Sequence, residues 1–243
     1  MKKNRIQSSL FLFFASVCIV LLTGCIDSIT CEKGNGTIIK QDRKITSFNK
    51  LEVSGAYTIV LKQDSVASVY VEADENLQTF ITTKVEKNKL VIENKKSVCG
   101  SKDLIVYITT PELKSIDISG AVELNTTNNF KADDLGLYLS GAAEMQMNVS
   151  LNKLKLVCSG SGKLSLKGKS DEVDALLSGA SDISAYDLLT KRFNLSSSGA
   201  GKASINVSEK LDVEISGAAT VYYKGNPEVT TDISGVGVVN KVK

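Results

Sequence analysis

Seven serines stand directly before a glycine at near-regular intervals, and a repeated Ser-Gly invites a search for an activated nucleophile. The pairs are Ser119-Gly120, Ser140-Gly141, Ser159-Gly160, Ser178-Gly179, Ser198-Gly199, Ser216-Gly217 and Ser234-Gly235. A serine nucleophile needs a base to take its proton, and the chain holds no histidine. Ser-His, Cys-His and His-metal arrangements are therefore excluded together. Seven equivalent copies fit a structural ladder better than one reactive group. Gly160-Ser161-Gly162-Lys163 has the outline of a phosphate loop, but Leu164 stands where Ser or Thr is needed and Val157 where the first glycine belongs. Gly199-Ala200-Gly201-Lys202 fails similarly at Ala203. Glycan-cleaving β-helices need clustered carboxylates or a Ca²⁺ site. Asp133-Asp134 and Asp171-Glu172 are adjacent acidic pairs, and they read as solvated charge at the connections between coils. No Cys-x-x-Cys pair occurs. No catalytic residue, metal ligand or cofactor-binding residue is assigned, and no enzymatic activity is expected. With no Trp in the chain, Tyr222-Tyr223 is the best candidate for an aromatic contact, an end-capping role being an equal reading.

The five cysteines carry the remaining chemistry, and two of them lie at the N-terminus. Lys2, Lys3 and Arg5 precede an apolar run from Leu10 to Leu22 broken only by Ser16. That length suits an export signal and is short of the roughly 20 residues a membrane span needs. The run ends at Leu22-Thr23-Gly24-Cys25, which resembles the lipobox of bacterial lipoproteins. Residues 1–24 are thus expected to be removed, and Cys25 to carry lipid at the head of a linker, residues 25–35. Removal of the three basic signal residues leaves 26 basic against 27 acidic residues. That balance offers no footprint for nucleic acid. An exported protein is free to form disulfides. Cys31 and Cys99 lie in polar stretches that bracket the N-terminal segment, and are expected to pair. Cys158, in an apolar column, reads as a buried free thiol. Asp27-Ser28-Ile29 and Asp64-Ser65-Val66 resemble a short O-glycosylation acceptor pattern of some Gram-negative bacteria.

The elements that position these residues follow from the repeat. The glycines Gly120, Gly141, Gly160, Gly179, Gly199, Gly217 and Gly235 are spaced by 21, 19, 19, 20, 18 and 18 residues, a repeat-architecture period. Two positions before them stand Ile118, Leu139, Cys158, Leu177, Ser197, Ile215 and Ile233. Four positions after stand Leu124, Met145, Leu164, Ile183, Ala203, Val221 and Val239. Intervening residues are mostly polar. Alternation on both sides of the glycine predicts two short strands per repeat, meeting at a corner. Stacked coils would align the apolar columns into one core, giving a rod of roughly 35 Å at about 4.8 Å per rung. The position two after the glycine is small in all repeats but that of Val122, so the inner corner has little room. The glycine itself serves either a positive-φ turn or a close backbone approach. An outward column three after it, Glu123, Glu144, Lys163, Asp182 and Lys202, alternates in sign from Glu144 onward and reads as register control on a solvated face.

Residues 112–243 are therefore expected to form the β-solenoid, preceded by an irregular β-rich part, residues 36–111. The latter carries one earlier corner, Ser54-Gly55-Ala56, with strands marked by Val69 and Val71, Leu90 and Ile92, and Val106 and Ile108. A helical turn is expected within Asp74–Phe80, and hairpin turns at Asp64-Ser65 and Lys87-Asn88.

Gly34-Asn35-Gly36, the run from Phe48 to Tyr57, the run from Val71 to Leu77 and the Ser-Gly-Ala coils together resemble the head GIN domain family of putative auto-transporter adhesins. The resemblance spans about residues 34–240. It implies an all-β, single-stranded β-helix-like fold on an exported, often lipidated protein, and brings no catalytic motif. The function expected is a non-catalytic cell-envelope lipoprotein that acts as an adhesion or binding module. It would be held by lipid at the outer membrane of a Gram-negative cell, facing either periplasm or surface, with a glycan or envelope protein as partner. A structural scaffold of an envelope complex and a carbohydrate-active β-helix enzyme are the alternatives.

Overall fold

The computed structural model describes residues 31–99 and 104–243. Each central coil is one long bent strand: Ala142–Cys158, Ser161–Leu177, Ala180–Ser197 and Ala200–Ile215. In the central coils this corrects the expectation of two short strands per repeat, whereas Ser115–Ile118 and Ala121–Thr126 flank Gly120 as expected. Successive coils pair in parallel, with Ala142 beside Ser161 and Cys158 beside Leu177. In Ala142–Cys158 the buried side chains alternate through Ala143, Met145, Met147, Val149 and Leu151, then resume at Leu154, Leu156 and Cys158. The phase slips once, at Asn152-Lys153. A strand whose side chains alternate between faces can turn and keep its apolar set inside only through such a slip.

The same slip recurs between Ala132 and Leu135, between Ser170 and Val173, and between Thr190 and Phe193. The polar pairs there are Asp133-Asp134, Asp171-Glu172 and Lys191-Arg192. The two acidic pairs therefore lie inside strands, Phe130–Leu139 and Ser161–Leu177, at a second bend of the coil. This differs from the expected placement at connections.

The glycine corner is a close approach. A Cβ at Gly179 would sit 1.9 Å from the Gly160 carbonyl oxygen, at Gly160 2.1 Å from that of Gly141, and at Gly199 2.0 Å from that of Gly179. None of the seven repeat glycines has a positive φ, so crowding and not backbone handedness requires glycine there. The crowded oxygen accepts a hydrogen bond from the next coil: the Ala180 N–H donates to the Gly160 carbonyl at 3.1 Å. Gly55 joins as an eighth rung, its carbonyl taking the Ala121 N–H at 2.8 Å.

The N-terminal part extends the stack before it closes. Lys50–Ser54 and Ala56–Gln63 pair in parallel with Ser115–Ile118 and Ala121–Thr126. Lys89–Asn94 and Ile105–Thr110 lie one layer further out. Pairing then turns antiparallel, with Ser68–Asp74 between Ile105–Thr110 and Ile38–Asp42. Lys87-Asn88 closes a two-residue hairpin with φ values of 50° and 63°, as a type I′ turn demands. Asp64-Ser65 is no hairpin: Ile105–Thr110 lies between the two strands it joins. Glu75–Leu77 forms a single 3₁₀ turn. One apolar core runs from Phe48 to Val221. In the final coil the inward columns open, Ile233 being 40% exposed.

Candidate binding faces

The coil displays three outward surfaces: before the glycine, after it, and around the second bend. The second bend is an ion-pair ladder. Lys153 reaches Glu172 at 2.7 Å, Arg192 reaches Glu172 at 3.3 Å, and Lys191 reaches Asp171 at 3.0 Å. The Lys153 hydrogen bond holds the Glu172 carboxyl below the usual carboxylate range. Asp133 takes a hydrogen bond from Asn152 at 3.1 Å. The acidic pairs are thus rungs of a solvated ladder, with cations on adjacent coils. Among the described residues no three His, Cys, Asp or Glu side chains group so as to hold a metal ion. This ladder went unread in the sequence, although polar dyads recurring at about the repeat period signal it.

On the surface after the glycine, a groove of about 870 Å³ runs along the stack from Ala56 to Lys202. Its floor is the small residue following each glycine, and one wall is the alternating column. There Lys163 reaches Glu144 at 3.0 Å. The would-be phosphate loop around Ser161 forms part of this floor, in strand conformation. Tyr222 lies half-buried with Lys202 over its ring at 5.2 Å. Lys224 lies over Tyr186 at 4.7 Å.

On the surface before the glycine, a second groove of about 520 Å³ spans Lys155 to Asp232. Leu176 is 51% exposed in it. Further along the same surface lie Tyr138, Asp117 and Glu52. Burial raises the Asp117 carboxyl above its ordinary range, while Glu52 is paired with Lys89.

The cysteines are placed as follows. Cys31 and Cys99 are bonded, with Cα atoms 5.6 Å apart. Cys158 is a buried free thiol in the core. Cys25 and Asp27-Ser28-Ile29 lie outside the described residues. Ser65 sits on an exposed turn beside Val66, which is 73% exposed. A hydrogen bond from Lys62 holds the Asp64 carboxyl below its ordinary range.

Residues 47–227 match the family described as putative auto-transporter adhesin, head GIN domain. The chain belongs to this family. Solved structures similar to this head GIN domain include a putative adhesin from Bacteroides fragilis, with TM-score 0.82 and 24% identity, covering 87% of this chain and 100% of that one. A putative adhesin from Parabacteroides merdae has TM-score 0.70 and 24% identity, covering 87% and 99%. A putative lipid binding protein from Parabacteroides distasonis has TM-score 0.69 and 21% identity, covering 88% and 100%. No curated protein matches the chain. The likenesses establish that the solenoid of this head GIN domain is a shared fold.

Proposed function

We propose that this head GIN domain is a non-catalytic adhesion or binding module of the Gram-negative cell envelope. It recognises an extended partner, a glycan or another envelope protein, and is tethered through lipid on Cys25. The observation that carries the reading is the course of the 870 Å³ groove, which crosses coil after coil from Ala56 to Lys202. A surface built from repeated rungs presents the same groups at regular steps and so suits a ligand that is itself extended. Small-molecule sites, by contrast, are concave and enclose most of their ligand. The family's adhesin description agrees with this. The apolar run that stops at Leu22, three residues before Cys25, supports the lipid tether.

The test is cellular. Cys25→Ala should shift the protein out of the membrane fraction or leave it unprocessed, and should reduce attachment of cells to their substratum. The purified protein should release neither reducing ends nor unsaturated sugars from envelope polysaccharides. Cleavage products that disappear on neutralising Asp133 and Asp134 would overturn the reading in favour of an enzyme.

A further inference from the structure

The outward column three residues before each glycine breaks the charge alternation kept on the opposite side of the corner. Tyr138, Val157 and Leu176 occupy consecutive rungs. Ser196, Glu214 and Asp232 follow on the next three. Glu214 and Asp232 are register partners, and like charges directly opposite each other oppose strand pairing. Among the described residues neither has a Lys or Arg nitrogen within 4.0 Å. Glu214 takes the Ser196 hydroxyl at 3.4 Å. Asp174 and Asp212, in the neighbouring column, are met from the margin by Lys153 at 2.6 Å and Lys210 at 2.8 Å. The 520 Å³ groove joins this acidic end to the exposed Leu176. At the other end of the surface Asp117 is the register partner of Glu52, and there Lys89 pairs with Glu52 and Lys50 lies on the same strand. The face is therefore apolar in the middle and acidic at both ends, with a lysine supplied at the Glu52 end and no such partner for Glu214 and Asp232 among the described residues.

From this charge pattern we propose that the face before the glycine docks a cationic segment of a polypeptide partner, one that alternates apolar side chains and ends in Lys or Arg. The proposal rests on the binding-module reading and chooses a protein over a glycan. Apolar side chains of the segment cover Tyr138, Val157 and Leu176, and its cations neutralise Glu214 and Asp232. The path from Val157 to Asp232 covers four rung steps, roughly 19 Å, which about six extended residues span. Desolvation of the carboxylates by an apolar or anionic ligand would be costly, whereas a cationic one removes the repulsion between them.

The test is fluorescence anisotropy with the full chain in neutral detergent. The probe is a labelled peptide of four leucines alternating with serine, followed by four lysines; the control peptide carries glutamates for lysines. The lysine peptide should bind, and the control should bind at least tenfold more weakly. Glu214→Gln with Asp232→Asn should weaken the lysine peptide about tenfold, and Leu176→Ser should do likewise. Asp171→Asn, at the second bend and outside both grooves, should leave it unchanged, with melting curves confirming that each variant folds. Equal binding of the two peptides, or unchanged affinity in the groove variants, would overturn the proposal. So would retention of a neutral polysaccharide that the same variants abolish, which would assign the face to a glycan. Loss of peptide binding alongside intact Cys25-dependent attachment would remove this docking face and leave the adhesion reading standing.

Discussion

At Gly179 the nearest atom to an added Cβ would be a backbone oxygen, 1.9 Å away. That oxygen is already engaged by the Ala180 N–H, so neither partner can move without opening the rung. Gly179→Val is therefore expected to destabilise the protein by more than about 2 kcal/mol. Lys191→Ala, which removes a half-exposed ion pair with Asp171, should stay within about 0.5 kcal/mol. Denaturant melts of the two variants check this, and coincident midpoints would refute the crowded-corner account. Tyr57 offers a pH test. Its hydroxyl donates to Asn94, and burial, assisted by Glu93, raises its pKa well above the ordinary value. The folded state thus holds the phenol proton where the unfolded chain, with a pKa of about 10, releases it. The contribution is fully present below about pH 10 and is lost as pH rises above it. Wild type should lose stability between about pH 10 and 11.5 more steeply than Tyr57→Phe. Parallel pH profiles would contradict that.

At the scale of elements, the two ends of the irregular part are held by a short parallel pair, Glu32–Lys33 with Val98–Cys99. A two-residue ladder is weak alone, and the Cys31–Cys99 bond ties it. The bond spans 68 residues of sequence, a loop for which chain-entropy estimates give about 4 kcal/mol. Cys31→Ser/Cys99→Ser should lower stability by up to that amount, and non-reducing peptide maps of wild type should recover the linked peptides with Cys158 free. Recovery of Cys31 as a free thiol would refute the bridge. Turn chemistry was readable where a local rule dictates it: Lys87-Asn88 adopts the positive φ pair of a two-residue hairpin. Asp64-Ser65 carries similar local signals, yet Ile105–Thr110 enters between its flanking strands. A turn motif reports where the chain reverses and not which strand pairs beside it.

At the scale of the molecule, each coil pairs in parallel with its neighbours alone, bulges after Ser165 and Ala185 absorbing the differences in coil length, so stability is close to a sum of coil and interface contributions. Deleting residues 161–179 removes one whole turn and brings Ala180 to the place of Ser161, its register partner. The shortened chain should fold cooperatively, with a lower melting temperature and a rod shorter by about 4.8 Å in solution scattering. Deleting residues 161–170 leaves only half a turn to lie on Ala142–Cys158, sets inward against outward side chains there and interrupts the stack. It should abolish the cooperative transition. Equal melting behaviour of the two deletions would exclude a stacked solenoid.

The repeat, its period and its inward columns were set by the sequence alone, because side chains that alternate in a strand record their own orientation. Leu139, Cys158 and Leu177 are buried as their column requires. The bend at Asn152-Lys153 is recorded there too, as a slip in that alternation, but a polar dyad inside a bent strand has the same composition as one in a loop. Two questions needed the tertiary structure. The first was why glycine stands at the corner, since a turn and a close approach ask for the same residue, and only the Gly160 oxygen above Gly179 separates them. The second was which outward residues share a surface. Leu176, Glu214 and Asp232 are distant in sequence and become neighbours only when the coils stack, because stacking converts a spacing of about nineteen residues into a step of about 4.8 Å.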